Sequence, residues 1–408
     1  MTRGSITIVA PSSPIKACIK LPRSKSISNR ALIISSLAGG SHSIEHFSDA
    51  DDSIRLQRLL EERPAVMDCG AGGTTLRFLL AWAAVQPGGT HLITGIPRLL
   101  ERPHAPLIEA LQKLGARIDV SPDGIHVRGG ELTGGSIILD SPISSQFISA
   151  LLMVGPYMEN GLQIEWRGRR YSEPYVEMTC RLMRHFGAEV DRSADRIEVK
   201  KGSYRSVPFI VPADMSAASF WFQVASLAPG ARIELPDLLD DGLQGDAAVM
   251  KLWDHWVVSE ERSDRTILYH RDRTEEEHFK ADLSHTPDLF QPLIFTCAAR
   301  GTEATVTGLH NLSFKETDRL ADTQRILHQF GIRSWIDGSA FHLEKGDLSF
   351  PSDPIDPCGD HRMAMAVAPL ALKGSPVRIS DPQVVEKSYP AFWQDLQRAG
   401  FQVMLDEN

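Results

Sequence analysis

The sequence predicts an α/β protein of two domains, built from repeats of one helix-and-strand unit. One phrase recurs along the chain: an amphipathic helix end, a glycine, a strand, a turn and a second strand. It reads LQKLGARIDV-SPDG-IHVRGG from Leu111, LMRHFGAEVDR-SAD-RIEVKKG from Leu182 and ILHQFGIRSWI-DGS-AFHLEKG from Ile326. A further copy, LQRAGFQVMLDEN from Leu396, runs off the C-terminus after one strand. The spacing is regular: Gly115, Gly187, Trp256 (in the glycine's place), Gly331 and Gly400 follow one another at intervals of 69 to 75 residues. At 408 residues the chain also exceeds one ordinary core, which makes two domains the expectation.

Each part of the phrase has a physical reason. Glycine is expected where a helix closes through a left-handed residue, and Asp-Gly turns favour hairpins. Helix–glycine–strand is common in α/β proteins, but the regular interval and the hairpins point to about six copies, three per half. A degenerate early copy, LQRLLEERPAV at Leu56–Val66, lacks its hairpin. The boundary is expected near Val211–Asp214, where VPADMSAASFWF restarts a helical pattern after a proline. An N-terminal strand within Ser5–Lys20 is assigned to the C-terminal half.

Composition narrows the function classes. Hydrophobic residues make up 42% and charged residues 23%, as in a soluble globular protein. A net charge of −9 argues against broad nucleic-acid binding, so an anion site must be a local basic cluster. The five cysteines are scattered and form no CxxC pair, which points to free thiols in a reducing cytoplasm rather than a zinc site. MTRGSITIVA lacks the apolar core of a signal peptide. No apolar run approaches the ~18 residues of a membrane span.

The richest motif is LPRSKSISNRALI, Leu21–Ile33, with Lys25, Ser26 and Arg30. Ile27, Ala31, Ile34 and Ala38 share a helical face, so these polar residues sit where a helix begins. There the free N–H groups favour an anion. Ser and Asn also cap helices, but cations in a first turn oppose the dipole unless they face an anion. DCGAGGTTLRFLL places Gly73 in a glycine-rich turn before a helix, and Arg77 in its first turn. This reads equally as an anion loop or a structural turn, and has neither P-loop nor dinucleotide spacing. PRLLERPHAP holds Arg102 in a proline-bounded loop before a helix Leu107–Leu114, either an anion grip or a solvated loop.

SPISSQFISALL sets Ser144, Ser145 and Gln146 before an apolar helix, as caps or as ligand donors. A capping box is disfavoured, since Ile143 stands three residues before Gln146. RRYSEPYVEM adds Ser172 and Tyr175, with Pro174 at a helix start. Asp288, in SHTPDLFQPLIF, is either a cap or a carboxylate placed as a general base. NLSFKETDRL is the densest cluster, with Asn311, Lys315, Glu316 and Arg319; the last two share a face if helical. CGDHRMAMAVAPLAL puts His361 and Arg362 just before an apolar helix, and DPQVVEKSYPAFWQDL carries Lys387. A single His without partners is a poor metal ligand set, so no metal is expected.

With these motifs assembled, the chain resembles the 5-enolpyruvylshikimate-3-phosphate synthases, a family of enolpyruvyl transferases, from about Ile15 to Phe401. SKSISNRALI, ISSQFISALL, KETDRL and GDHRMAM carry the resemblance. It implies the two-domain enolpyruvyl transferase fold: six βαβαββ units, three per domain, the first shortened here. The family's crossovers match Leu21–Arg23 and Ile210–Ala213. That implies a discontinuous domain of 1–22 and 212–408 and an inserted domain of 23–211, with the active site in the cleft between them.

The resemblance also implies the reaction. The enolpyruvyl group of phosphoenolpyruvate moves to the 5-hydroxyl of shikimate 3-phosphate and phosphate leaves, without metal or organic cofactor. The catalytic set would be Asp288, accepting the hydroxyl proton; Glu316, exchanging the methylene proton; and Lys25 and His361. Shikimate 3-phosphate would meet Lys25, Ser26, Arg30, Ser144, Ser145, Gln146, Ser172, Tyr175, Asp288, Asn311 and Lys315. Phosphoenolpyruvate would meet Lys25, Gly73, Arg77, Arg102, Gln146, Arg319, Arg362 and Lys387. A cytoplasmic monomer with small-molecule substrates, and neither nucleic acid nor membrane as partner, is implied.

Ala71, Phe78, Glu173 and Arg23 depart from residues common in the family. Two alternatives stand beside this reading. The enolpyruvyl transferase acting on UDP-N-acetylglucosamine uses a loop cysteine, which PRLLERP lacks. A non-catalytic metabolite-binding relative would not require the pair Asp288 and Glu316.

Overall fold

A computed structural model describes residues 4–40, 44–141, 144–272 and 278–406. Pro142 and Ile143 of the SPISSQ motif, and the last two residues of the final repeat copy, lie outside the described residues. The chain divides into two units: Arg23–Val211, and the segments up to Pro22 and from Pro212 onward.

In Arg23–Val211, three helices are buried nearly all round: Lys25–Leu37, Gly73–Ala84 and Ser145–Val154. The second and third are mostly apolar, and the first buries Ser28, Asn29, Arg30 and Ser35 along with its apolar residues; helices buried on this many sides are stable only inside a core. They pack on one another. Around them lie Asp51–Glu62, Ala105–Lys113 and Glu173–His185, which bury one face and expose charge on the other. Two four-stranded sheets share one topology. The first runs Val66–Asp68, Thr90–Thr94, Gly124–Arg128, Arg117–Ser121, its first pair parallel and the rest antiparallel. The second runs Gly135–Asp140, Leu162–Arg167, Arg196–Val199, Val190–Arg192 in the same pattern. The third position holds only the parallel pair Ile44–Glu45 and Phe209–Ile210. After Asp51–Glu62 the chain turns through Arg63, left-handed at φ 48, and enters Val66–Asp68 without a hairpin.

The second unit repeats the scheme. Its buried helices are Met215–Leu227, Phe290–Arg300 and His361–Val367. One four-stranded sheet runs His278–Asp282, Glu303–Thr307, Ala340–Leu343, Ser334–Asp337. Another runs Lys16–Cys18, Arg232–Pro236, Arg265–His270, Val257–Glu261. In the third sheet Ser5–Val9 pairs antiparallel with Val377–Ser380 on one side and Gln402–Leu405 on the other. The C-terminal copy therefore does not end on a lone strand, because the N-terminus supplies its antiparallel partner. The expected N-terminal strand is in fact two, Ser5–Val9 and Lys16–Cys18, which join different sheets.

The repeat glycines do what their position requires. Gly115 and Gly331 adopt φ of 106° and 76°, and the next residues, Ala116 and Ile332, donate back to Leu111 and Leu327. That double closure satisfies helix-end carbonyls and needs a residue free to go left-handed. Trp256 follows a helix of only four residues, Val249–Leu252, and is not among the left-handed positions.

Candidate active site

The buried helices of Arg23–Val211 begin with polar residues or glycine, as His361–Val367 does in the other unit with His and Arg, and much of the sequence-predicted site lies at these starts. In Arg23–Val211, Lys25 opens its helix and its Nζ stands 3.1 Å from Asp52 Oδ2. No side-chain cap bond closes this helix start, so the capping account of the Ser-rich motif is set aside. Arg30 lies one turn on and is 2% exposed. Its Nε donates to Thr179 Oγ1 at 2.7 Å, Nη1 to the Ser26 carbonyl at 2.8 Å, and Nη2 to Ser149 Oγ and the Tyr175 carbonyl at 3.1 and 3.3 Å. Burial pulls Arg30 down to about 10, which leaves it charged at neutral pH. A charge that deep needs this many partners. Arg30 therefore also fastens the Lys25 helix to the helices bearing Ser145 and Tyr175.

The glycine-rich turn opens the helix Gly73–Ala84. Arg77 is its fifth residue, a turn further in than its motif suggests, and is 3% exposed. Arg77 Nη1 donates to Gln146 Oε1 at 2.6 Å, and Gln146 Nε2 donates to Thr74 Oγ1 at 3.0 Å. The glutamine amide thus ties two helix starts together. Ser144 caps its helix by accepting from the Gln146 N–H at 3.2 Å, and Ser145 is buried behind it. Ser172 is left-handed at φ 55 and buried. A non-glycine residue in that region marks a position held by its surroundings, often a functional one.

The segment around Arg102 is not the plain loop expected. Pro97–Leu100 is a short helix, and the next helix runs Ala105–Lys113. Arg102 is 9% exposed, and its guanidinium fills the space a side chain on Gly73 would occupy. His104 Nε2 bonds the Leu99 carbonyl at 2.8 Å. Burial and the nearby Arg77 charge push the imidazole down to about 4, so it is neutral at pH 7.

The other unit carries the carboxylates. Arg319, 2% exposed, contacts three of them. Its Nε meets Asp360 Oδ2 at 2.6 Å, Nη1 meets Asp288 Oδ1 at 3.1 Å and Nη2 meets Glu316 Oε2 at 2.9 Å. Asp288 also receives Arg362 Nη2 at 2.9 Å and Lys315 Nζ at 3.6 Å. Glu316 reaches Lys387 Nζ at 3.1 Å. Three carboxylates thus face four cations.

The electrostatics follow from that count. Burial raises the Asp288 carboxyl, but Arg362, Lys315 and Arg319 outweigh it and hold it well below the usual carboxylate range. Burial weakens Arg319 as a cation, and Asp360, Glu316 and Asp288 outweigh that, raising it above its ordinary value.

Local details differ from the sequence expectation. Asp288 lies in a 3-10 turn, Pro287–Leu289, and no side-chain cap bond forms at the helix start, so its role as a cap is set aside. Glu316 is not on a helix. Asp318 accepts from the N–H groups of Leu320 and Ala321, so the helix starts at Arg319, and Glu316 turns back onto it. Asp360 caps the next helix through the Arg362 N–H at 2.9 Å, and His361 is 1% exposed beside it. Asn311 precedes the short turn Leu312–Phe314.

Asp52 and Asp246 escaped the sequence reading, and Asp360, visible beside His361 and Arg362, was given no role in it. Asp52 looks like an acid placed for a helix dipole in DDSIRL, and nothing local marks it as the partner of Lys25. Asp360 sits in the GDHRM motif, and its place just before two cations was a usable signal. Asp246, 3% exposed, accepts from Ser216 Oγ. Burial, with the Asp288 charge adding to it, pushes its carboxyl up to about 6.

Each unit thus carries its own cluster, buried cations near helix starts in one and carboxylates among arginines and lysines in the other, and the class of protein that has both is the enolpyruvyl transferases, to which the chain is similar throughout. The family model "EPSP synthase (3-phosphoshikimate 1-carboxyvinyltransferase)" matches residues 53–396. A 3-phosphoshikimate 1-carboxyvinyltransferase of Bacteroides fragilis is 40% identical over 414 residues, covering 98% of this chain and 99% of that one. One from Methanoculleus marisnigri is 33% identical, covering 97% and 99%. An EPSP synthase structure from Acinetobacter baumannii superposes with a TM-score of 0.79 at 20% identity, over 99% of this chain and all of that one. The chain belongs to the EPSP synthase family. No helix among the described residues is long and apolar enough to cross a membrane.

Proposed function

We propose that the chain transfers the enolpyruvyl group of phosphoenolpyruvate to the 5-hydroxyl of shikimate 3-phosphate, giving 5-enolpyruvylshikimate 3-phosphate and phosphate. The observation that carries this is Asp288 and Glu316 held on one guanidinium, that of Arg319, with Arg362, Lys315 and Lys387 alongside. Binding two anions calls for the cations alone; the pair of acids supplies the proton transfers.

The assigned roles follow. Asp288 takes the hydroxyl proton as the 5-oxygen bonds to C2 of phosphoenolpyruvate, and Glu316, in its protonated form, gives the methylene carbon the proton that makes it methyl. Loss of phosphate then breaks the C–O bond, and Glu316 takes a proton from the methyl group to restore the alkene. Lys25, Arg77, Arg102, Arg319, Arg362 and Lys387 offset the phosphate and carboxylate charge, with Gly73 leaving room for Arg102. Lys25, Ser26, Arg30, Ser144, Ser145, Gln146, Ser172, Tyr175, Asn311 and Lys315 hold shikimate 3-phosphate. Lys25 and His361 complete the catalytic set.

The depressed Asp288 makes a weak base while Arg319 and Arg362 are turned on it. An anion on those arginines takes up part of their charge and strengthens the base, so phosphoenolpyruvate binding itself prepares proton abstraction. The free thiols suit a reducing cytoplasm.

The test is phosphate release from phosphoenolpyruvate with and without shikimate 3-phosphate, with no metal added. Release that requires both is the expected result. Release with phosphoenolpyruvate alone, or none with both, overturns the reading.

A further inference from the structure

We propose that Asp322 is a positioning residue that clamps two active-site loops together through Thr317 and Cys358. This rests on the assignment of Glu316, Arg319 and Arg362 to the site above.

Asp322 lies one turn into the helix Arg319–Gln329. One carboxylate oxygen accepts from Thr317 Oγ1, which belongs to the segment carrying Lys315 and Glu316. The other accepts from Cys358 Sγ at 3.1 Å, in the segment leading to Asp360, His361 and Arg362. Arg325 braces the same point: Nε lies 3.4 Å from Asp322 Oδ1, and Nη2 donates to the Asp356 carbonyl at 3.1 Å and to Cys358 Sγ at 2.7 Å. Cys358 is left-handed at φ 56, and its N–H donates to Asp356 Oδ1 at 2.8 Å. A side-chain-bearing residue keeps that conformation only where its surroundings hold it. Burial and the bond to Asp322 push the thiol up to about 11, so at neutral pH it stays protonated as a donor.

The two segments are also joined inside the site by Arg319 on Asp360 at 2.6 Å. The inner pair fixes one point and Asp322 a second, which removes a hinge. Without the outer point, Glu316 and Arg319 are free to shift against Asp360 and Arg362. Catalysis is sensitive to such shifts, since a displacement of about 1 Å can lower a rate on the order of 100-fold.

The test compares Asp322→Ala, Cys358→Ala, Cys358→Ser and the double alanine variant with wild type, reading kcat, both KM values, shikimate 3-phosphate affinity and Tm. Each single alanine change is expected to lower kcat/KM for phosphoenolpyruvate about tenfold or more, with shikimate 3-phosphate affinity held within about twofold. Cys358→Ser keeps a donor to Asp322 and should restore most of what Cys358→Ala loses. The double variant should be no worse than the poorer single, because both break one clamp. Wild-type kinetics in both single alanine variants, fully additive losses, or equal falls in affinity for both substrates that track Tm would each overturn the clamp. Wild-type turnover, measured alongside, separates the two ideas: its absence sinks the reaction assigned above, whereas turnover that the variants share unchanged sinks the clamp alone.

Discussion

Asp288 and Arg362 meet twice: Nη2 on the carboxylate at 2.9 Å and Nη1 on the Asp288 carbonyl at 3.2 Å. Main chain and side chain of the proposed base are therefore set by one guanidinium. Asp288→Asn keeps the shape and removes the charge and the base. Turnover should fall by about 100- to 10,000-fold, the usual range for a lost general base. Shikimate 3-phosphate should still bind, as followed by calorimetry. Full turnover in this variant would remove Asp288 from the chemistry.

Glu316 stands between Arg319 at 2.9 Å and Lys387 at 3.1 Å. If it exchanges the methylene proton, Glu316→Gln should stop deuterium entering the enolpyruvyl group in heavy water while both substrates still bind. Deuterium uptake at the wild-type rate would mean that another group moves that proton.

Much of this was legible in the chain. The helix–glycine–strand phrase marked four helix ends, because a left-handed closure needs glycine and leaves that residue behind. Cations near helix starts pointed to Lys25 and Arg362, since such charges oppose the helix dipole unless something else requires them, and the glycine-rich turn led to Arg77, which lies one turn further in. What stayed hidden was pairing across long sequence distances. Lys25 with Asp52, and Arg319 with Asp360, are 27 and 41 residues apart; Asp52 is not distinguishable locally from a cap, and the cations after Asp360 mark that acid without naming its partner. Whether Glu316 and Arg319 share a helix was left open for a related reason: only the Asp318 cap, which starts the helix at Arg319, leaves Glu316 outside it. The strand partner supplied by Ser5–Val9 was equally invisible, because sheet pairing between chain ends has no periodic signature.

The ion pair of Arg319 with Asp360, 2% and 0% exposed, ties KETDR to GDHRM. Asp360→Ala takes one of three carboxylates from buried Arg319, leaving its Nε unsatisfied, and removes the cap at the Arg362 N–H, so it should destabilise by about 1–3 kcal/mol. Urea unfolding of the two proteins at pH 7 measures this. A change below ~1 kcal/mol would mean that water reaches Arg319 freely.

Asp246 gives a pH dependence with a definite sign. Its folded carboxyl is pushed up to about 6 by burial, above the ~3.9 of an unfolded aspartate. The folded state therefore holds this proton more tightly, and the contribution to stability is present below about pH 4 and lost as pH rises through about 6. Asp246→Asn removes the titration. The stability difference between wild type and variant should shift in the variant's favour between pH 4 and pH 7, read from urea midpoints. A pH-independent difference would remove this buried proton from the account.

Gly73 is the position where the smallest change should speak most directly to phosphoenolpyruvate. A Cβ there would stand 2.9 Å from Arg102 Cζ, so the guanidinium must move. Gly73 is the first residue of its helix, where alanine is the better helix former, so folding should not suffer. The strain falls on Arg102, assigned above to phosphoenolpyruvate. Gly73→Ala should raise KM for phosphoenolpyruvate about tenfold, which is ~1.4 kcal/mol of lost binding, and leave KM for shikimate 3-phosphate and Tm nearly unchanged. Steady-state kinetics with each substrate varied in turn decide it. An equal rise in both KM values would place Arg102 at neither substrate in particular, and an unchanged KM for phosphoenolpyruvate would take it off that ligand.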